Sequence, residues 1–120
     1  MRLIKTIGDA AMLVSPHNDR LLEAALDLLD AAEAEGEAFP ALHAGLARGP
    51  ALARGGDWYG RPVNLASRIT SFARPGTVVA AEEVKETAEG DYDWSFAGKR
   101  RFKGIDEQVA VFRVRRRREE

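Results

Sequence analysis

Leu21, Leu22, Ala25, Leu28, Leu29 and Ala32 recur at three- and four-residue intervals between a Pro-His-Asn-Asp loop and Gly36. That spacing lays one apolar stripe along a helix, with Glu23, Asp27, Asp30 and Glu33 on the opposite side. Asn18 or Asp19 is placed to cap its start, and Gly36 to end it in the left-handed conformation. The acidic side reads as a solvated face rather than a metal site.

The segments around this helix read mostly as short strands. Arg2 to Ile7 alternates basic and apolar residues, Gly8-Asp9 makes a turn, and Ala10 to Val14 runs back as the partner strand. After Pro40, Ala41 to Ala47 and Ala51 to Arg54 are strand candidates joined by Gly49-Pro50. The stretch Gly55 to Gly60 reads as a loop before a second helix that starts near Pro62. Val63, Ala66, Ile69, Thr70 and Ala73 give that helix its inner face, and Pro75-Gly76 stops it. Thr77 to Ala80 is a strand and Ala81 to Thr87 a short acidic helix. Trp94 to Phe102 and Gln108 to Val114 form a last pair of strands, ahead of a frayed basic tail from Arg115 to Arg118. The expected order, ββαββαβαββ, is α+β with a mainly antiparallel sheet. Its expected extent is a domain over 1–114 and a charged tail over 115–120.

Size and composition narrow the function classes. A chain of 120 residues buries about two-thirds of its unfolded surface, enough for one core without staples. Hydrophobic residues at 45% and charged residues at 31% exclude disorder along most of the length. Eighteen Lys and Arg against nineteen Asp and Glu create no whole-domain field for nucleic acid or an anionic membrane. The absence of cysteine removes disulfides, thiol nucleophiles and sulfur-held zinc. No membrane-length apolar run or signal peptide is present, so a cytoplasmic location is expected.

Three polar clusters could carry chemistry. In Lys5-Thr6-Ile7-Gly8-Asp9, a strand ammonium lies near a turn carboxylate that could take a hard divalent ion. A turn Asp beside an edge Lys is the plain alternative. Asp57 could accept from the exocyclic amine of a base, or only close a turn. Asn64 and Arg68 lie four apart and project from one face of the second helix. Arg68 has a fixed donor fork suited to phosphate oxygens, and Asn64 an amide able to orient a ribose. Alone, that pair reads equally as a solvated face. His17 and His43 have no carboxylate spacing that marks a metal or general-base site. The glycines from 55 to 60 lack the Lys-Ser or Lys-Thr ending of a P-loop.

Taken together, the clusters resemble the class III nucleotidyl cyclases, and within them bacterial adenylyl cyclase catalytic domains of the compact, short-arm kind. The resemblance is carried in order by KTIGDAAM (Lys5–Met12), HAGLARG (His43–Gly49), DWYGRPVNLASRI (Asp57–Ile69), PGTVVAAEEV (Pro75–Val84) and FKGIDEQVAVFRV (Phe102–Val114). It implies a ferredoxin-like nucleotide cyclase fold that works as a homodimer or heterodimer, with the site at the subunit interface. It also implies conversion of ATP to 3′,5′-cyclic AMP and pyrophosphate with two Mg²⁺ or Mn²⁺ ions. By the same resemblance Asp9 matches the second metal aspartate and Lys5 and Asp57 the adenine readers. Asn64 and Arg68 match the ribose-orienting and transition-state residues, and Lys103 a triphosphate contact. Lys and Asp complement adenine's amino group and N1, where guanylyl cyclases typically carry Glu and Cys.

The family's first metal aspartate, in an FxDIxGF-like strand, has no match here. The expectation is therefore a domain lacking its first strand and the helices that follow. Such a domain would be nearly inactive alone and prone to swapping, dimerisation or aggregation. A non-catalytic module that pairs with another cyclase, or binds nucleotide without turnover, is the alternative. An RNA-binding ferredoxin-like domain is disfavoured, because aromatics are 8% and no basic sheet face is visible.

Overall fold

The computed structural model describes residues 1–7 and 10–117. Strands β1 (Arg2–Ile7) and β2 (Ala10–Val14) lead into helix α1 (Asn18–Ala34), followed by β3 (Ala44–Leu46), β4 (Leu52–Arg54) and β5 (Asp57–Tyr59). Helix α2 (Arg61–Phe72), β6 (Val78–Ala81), α3 (Glu82–Thr87), β7 (Tyr92–Arg101) and β8 (Gln108–Arg116) complete the order. The Asp9 turn position lies outside the described residues.

The main sheet runs β3-β6-β8-β7. Its β3–β6 pairing is parallel, and the other two pairings are antiparallel. β6 is buried at every position because both of its faces are covered, which suits an uninterrupted run of small apolar residues. Val79 and Ala81 meet Leu65 and Ile69 of α2, with Phe102, Ile105, Val109 and Val111. Val78 and Ala80 meet Leu22 and Leu26 of α1 on the other side, with Val84, Tyr92 and Val114. Helices thus cover both faces of one sheet. The β1–β2 and β4–β5 hairpins form separate two-stranded sheets.

β3 and α2 touch backbone to backbone. A Cβ on Gly45 would stand 2.3 Å from the Thr70 amide nitrogen and 2.8 Å from the Ala66 carbonyl. Only glycine permits that approach. Beside it, His43 Nδ1 lies 2.7 Å from the Thr70 carbonyl. A carbonyl can only accept, so Nδ1 carries the proton, and the exposed ring satisfies one of the last carbonyls of α2.

Several expectations are corrected. Residues 57–59, read as loop, are strand β5, and the first strand after Pro40 is only Ala44–Leu46. The start of α1 has no side-chain cap. Asp19 instead accepts from the amides of Glu89 and Gly90, and Asn18 donates to the Val84 carbonyl. Both residues thus tie α1 to the end of α3. Leu28 is half exposed and Leu26 is buried in its place. On α2, Leu65 and Pro62 are buried, whereas Val63, Ala66 and Thr70 lie at the margin of the core. β8 continues through Arg116, so Arg115 and Arg116 are strand rather than frayed tail. The acidic face of α1 is also not simply solvated, because Arg116 bonds to Glu23, Asp27 and Asp30.

Candidate active site

Lys5 and Asp57 are 52 residues apart and meet directly, with Nζ donating to Asp57 Oδ2 at 2.7 Å. Two local devices bring them there. In β1 the pairing slips between Leu3 and Lys5, leaving Ile4 without a partner and setting Lys5 opposite Met12. In the β4–β5 hairpin, Gly55 and Gly56 both take positive φ, 60° and 79°, the backbone a two-residue hairpin turn requires. That turn makes Asp57 the first residue of β5, opposite Arg54. Asp57 Oδ1 accepts from the Trp58 amide at 2.8 Å, which fixes the carboxylate plane. The Lys5 ammonium, helped by that amide, holds the Asp57 carboxyl below the usual carboxylate range.

From Tyr59 the chain passes through Gly60 (φ 136°) directly into α2. Its buried side presents Pro62, Leu65 and Ile69 to the core, so Asn64 and Arg68 stand exposed on the outside, one turn apart. Neither side chain makes a hydrogen bond or ion pair among the described residues. Lys103 is exposed in the β7–β8 connection, between the buried anchors Phe102 and Ile105. Those anchors join Leu65 and Ile69 in one cluster, which seats the Lys103 turn on α2.

The structure therefore unites Lys5 with Asp57 and sets Asn64 with Arg68. It carries Lys103 on a turn packed against the same helix. No hydrogen bond or ion pair among the described residues links these three groups, and Asp9 lies outside them. No cluster of three or more metal-ligating side chains gathers among the described residues. By themselves the described residues do not make up a metal site. Sequence reasoning overlooked Arg61 and Glu107, which pair across 46 residues. Their opposite charges are the only sequence signal, and nothing in their spacing marks them.

No helix of the described residues is long and apolar enough to cross a membrane. Residues 1–115 match the family model for the adenylate and guanylate cyclase catalytic domain. The chain is 51% identical over 119 residues to the pH-sensitive adenylate cyclase MT1302 of Mycobacterium tuberculosis, covering 94% of this chain and 30% of that protein. An adenylate/guanylate cyclase/hydrolase from Silicibacter pomeroyi shares the fold at TM-score 0.81 and 20% identity, over 94% of this chain and 71% of that one. The catalytic core of a rhodopsin-guanylyl cyclase with converted specificity, solved with ATPalphaS, superposes at TM-score 0.77 and 26% identity, over 97% and 71% of the two chains. This chain spans about 30% of the length of its curated relative. With nearly all its residues matched and its fold shared, the chain belongs to the adenylate and guanylate cyclase catalytic domain family.

Proposed function

We propose that this chain is the nucleotide-reading part of an adenylate cyclase catalytic domain, forming 3′,5′-cyclic AMP and pyrophosphate from ATP as a dimer. The observation that carries the reading is the Lys5–Asp57 contact at 2.7 Å. An ammonium donor and a carboxylate acceptor side by side complement the N1 acceptor and 6-amino donor of adenine. Guanine presents the reverse order and would leave both charges mismatched.

In the reaction the ribose 3′-oxygen forms a bond to the α-phosphorus. The bond from that phosphorus to the bridging oxygen breaks, pyrophosphate leaves, and the hydroxyl proton is released. Asn64 would orient the ribose, and Arg68 would meet the charge that develops on the phosphoryl oxygens. Both roles suit side chains that stand exposed without partners among the described residues. Lys103 would contact the triphosphate. A divalent cation, Mg²⁺ or Mn²⁺, belongs to this reading as the group that Asp9 would help to hold.

The test is base selectivity. ATP should bind more tightly than GTP, and Lys5→Ala or Asp57→Ala should erase most of that preference. The double substitution Lys5→Glu with Asp57→Cys should shift preference toward GTP. Equal affinity for both nucleotides in the unaltered chain would refute the adenine assignment.

A further inference from the structure

We propose that Arg61 and Glu107 form a positioning clamp that holds the Lys103 turn at the end of the helix face bearing Asn64 and Arg68. Through it, the triphosphate end of the nucleotide would be gripped. The inference rests on the nucleotide reading above and adds two residues to it.

Arg61 opens α2, and its Nε donates to Glu107 Oε1 at 2.8 Å, with Nη2 directed to the same oxygen. Counting from Arg61, Asn64 is three residues on and Arg68 seven, so all three project from one face of the helix. Glu107 follows the turn that presents Lys103 and precedes the first residue of β8. The pair therefore ties the chain just after this turn to the start of the helix that carries Asn64 and Arg68.

The turn is fixed from beneath as well. Phe102 and Ile105 are 7% and 5% exposed, and the Ile105 amide donates to the Phe102 carbonyl at 3.1 Å. Gly104 at φ 83° lets the chain reverse between them. Phe102 also meets Phe72 of α2 edge to face, and Arg100 lies over both rings. The apolar contacts set how deeply the turn is seated. The ion pair sets where its tip lies along the helix. The pair is solvent-exposed, so its effect belongs to the modest class, about two- to fivefold on an affinity.

The experiment compares ATP with adenosine, which lacks phosphates, by calorimetry on the 120-residue chain. A thermal melt checks that each variant is folded. Glu107→Gln should weaken ATP about two- to fivefold and leave adenosine unchanged. The exchanged pair, Arg61→Glu with Glu107→Arg, should restore ATP affinity. Lys103→Ala should weaken ATP alone. The clamp is overturned if Glu107→Gln leaves ATP unchanged while Lys103→Ala weakens it. An equal loss for ATP and adenosine in Glu107→Gln would also overturn it, by marking a merely structural pair. If Lys103→Ala leaves ATP unaffected, the triphosphate role of Lys103 fails and takes the clamp with it, while the base reading by Lys5 and Asp57 stands; if the unaltered chain binds neither ligand, the nucleotide reading itself fails.

Discussion

Helices α1 and α2 look alike in sequence, each with an apolar side and a charged side, yet the structure uses their charged sides in opposite ways. On α1 the charged side is occupied from within. Asp19 takes two backbone amides near the end of α3, and Glu23, Asp27 and Asp30 converge on Arg116 of β8. On α2, Asn64 and Arg68 have no such partners among the described residues, although the helix is anchored more closely than α1. Its anchor is apolar packing plus the backbone contact at Gly45. The difference separates a helix whose acids pair within the fold from one whose Asn64 and Arg68 stand unpaired among the described residues. It becomes visible only once tertiary partners are known.

The comparison breaks most sharply at arginine. In a dimer with an intact cyclase domain that supplies the missing metal aspartate, Arg68→Ala should lower the rate of cyclic AMP formation about 10²–10³-fold, the usual loss of a donor to developing charge, with an unchanged melting temperature of the chain itself. Arg116→Ala should do the reverse, leaving the turnover of folded protein unaltered. If Arg68→Ala destabilises the fold, the two helices do not differ as described.

The anchors of α2 provide the next largest effect. Leu65 is fully buried, and Leu65→Ala should cost about 2–5 kcal/mol in urea unfolding. Gly45→Ala forces a methyl into the Thr70 backbone and should cost about 1–3 kcal/mol or more. A neutral Gly45→Ala would mean that β3 and α2 are not in backbone contact.

Smaller still is the ion-pair group on α1. Its acids are more than half exposed, so Arg116→Ala should cost about 1 kcal/mol or less. That cost should shrink as salt is raised. A loss that salt does not alter would place the contribution of Arg116 in packing instead.

Much of this architecture was legible in the sequence. Helix spacing, proline and glycine punctuation and the hairpin pattern led to nearly the whole element order, and motif order led to the family. The misses have definite physical causes. A three-residue strand such as β5 has too few positions to show alternation, and paired glycines mark a turn without showing that it closes a hairpin. In β7 the pairing slips at Ala97, so Phe96 and Gly98 turn to opposite faces and a period of two fails across that point. Leu26 and Leu28 are equally apolar, and only the sheet decides which is covered. The candidate site was legible as residue types but not as contacts. Asp57 alone says nothing, and its meeting with Lys5 depends on a slip at Ile4 and a turn at Gly55-Gly56 that no local rule combines.

The smallest effect concerns that contact in the free protein. The Asp57 carboxyl is held below its ordinary 3.8 by Lys5 and the Trp58 amide. A lowered folded-state value means the contact is intact above pH 3.8 and is lost as pH falls through the lowered value. In a carboxyl-observed NMR titration, Lys5→Ala should raise the Asp57 midpoint toward 3.8. An unmoved midpoint would show that the ammonium is not its chief partner.

The most direct measurement follows the Lys5 ammonium and Asp57 carboxylate by NMR while ATP or inorganic triphosphate is added. If this pair reads the base, ATP shifts both signals together and inorganic triphosphate shifts neither. If ATP leaves both signals in place, or triphosphate moves them as far as ATP does, the pair does not read the base.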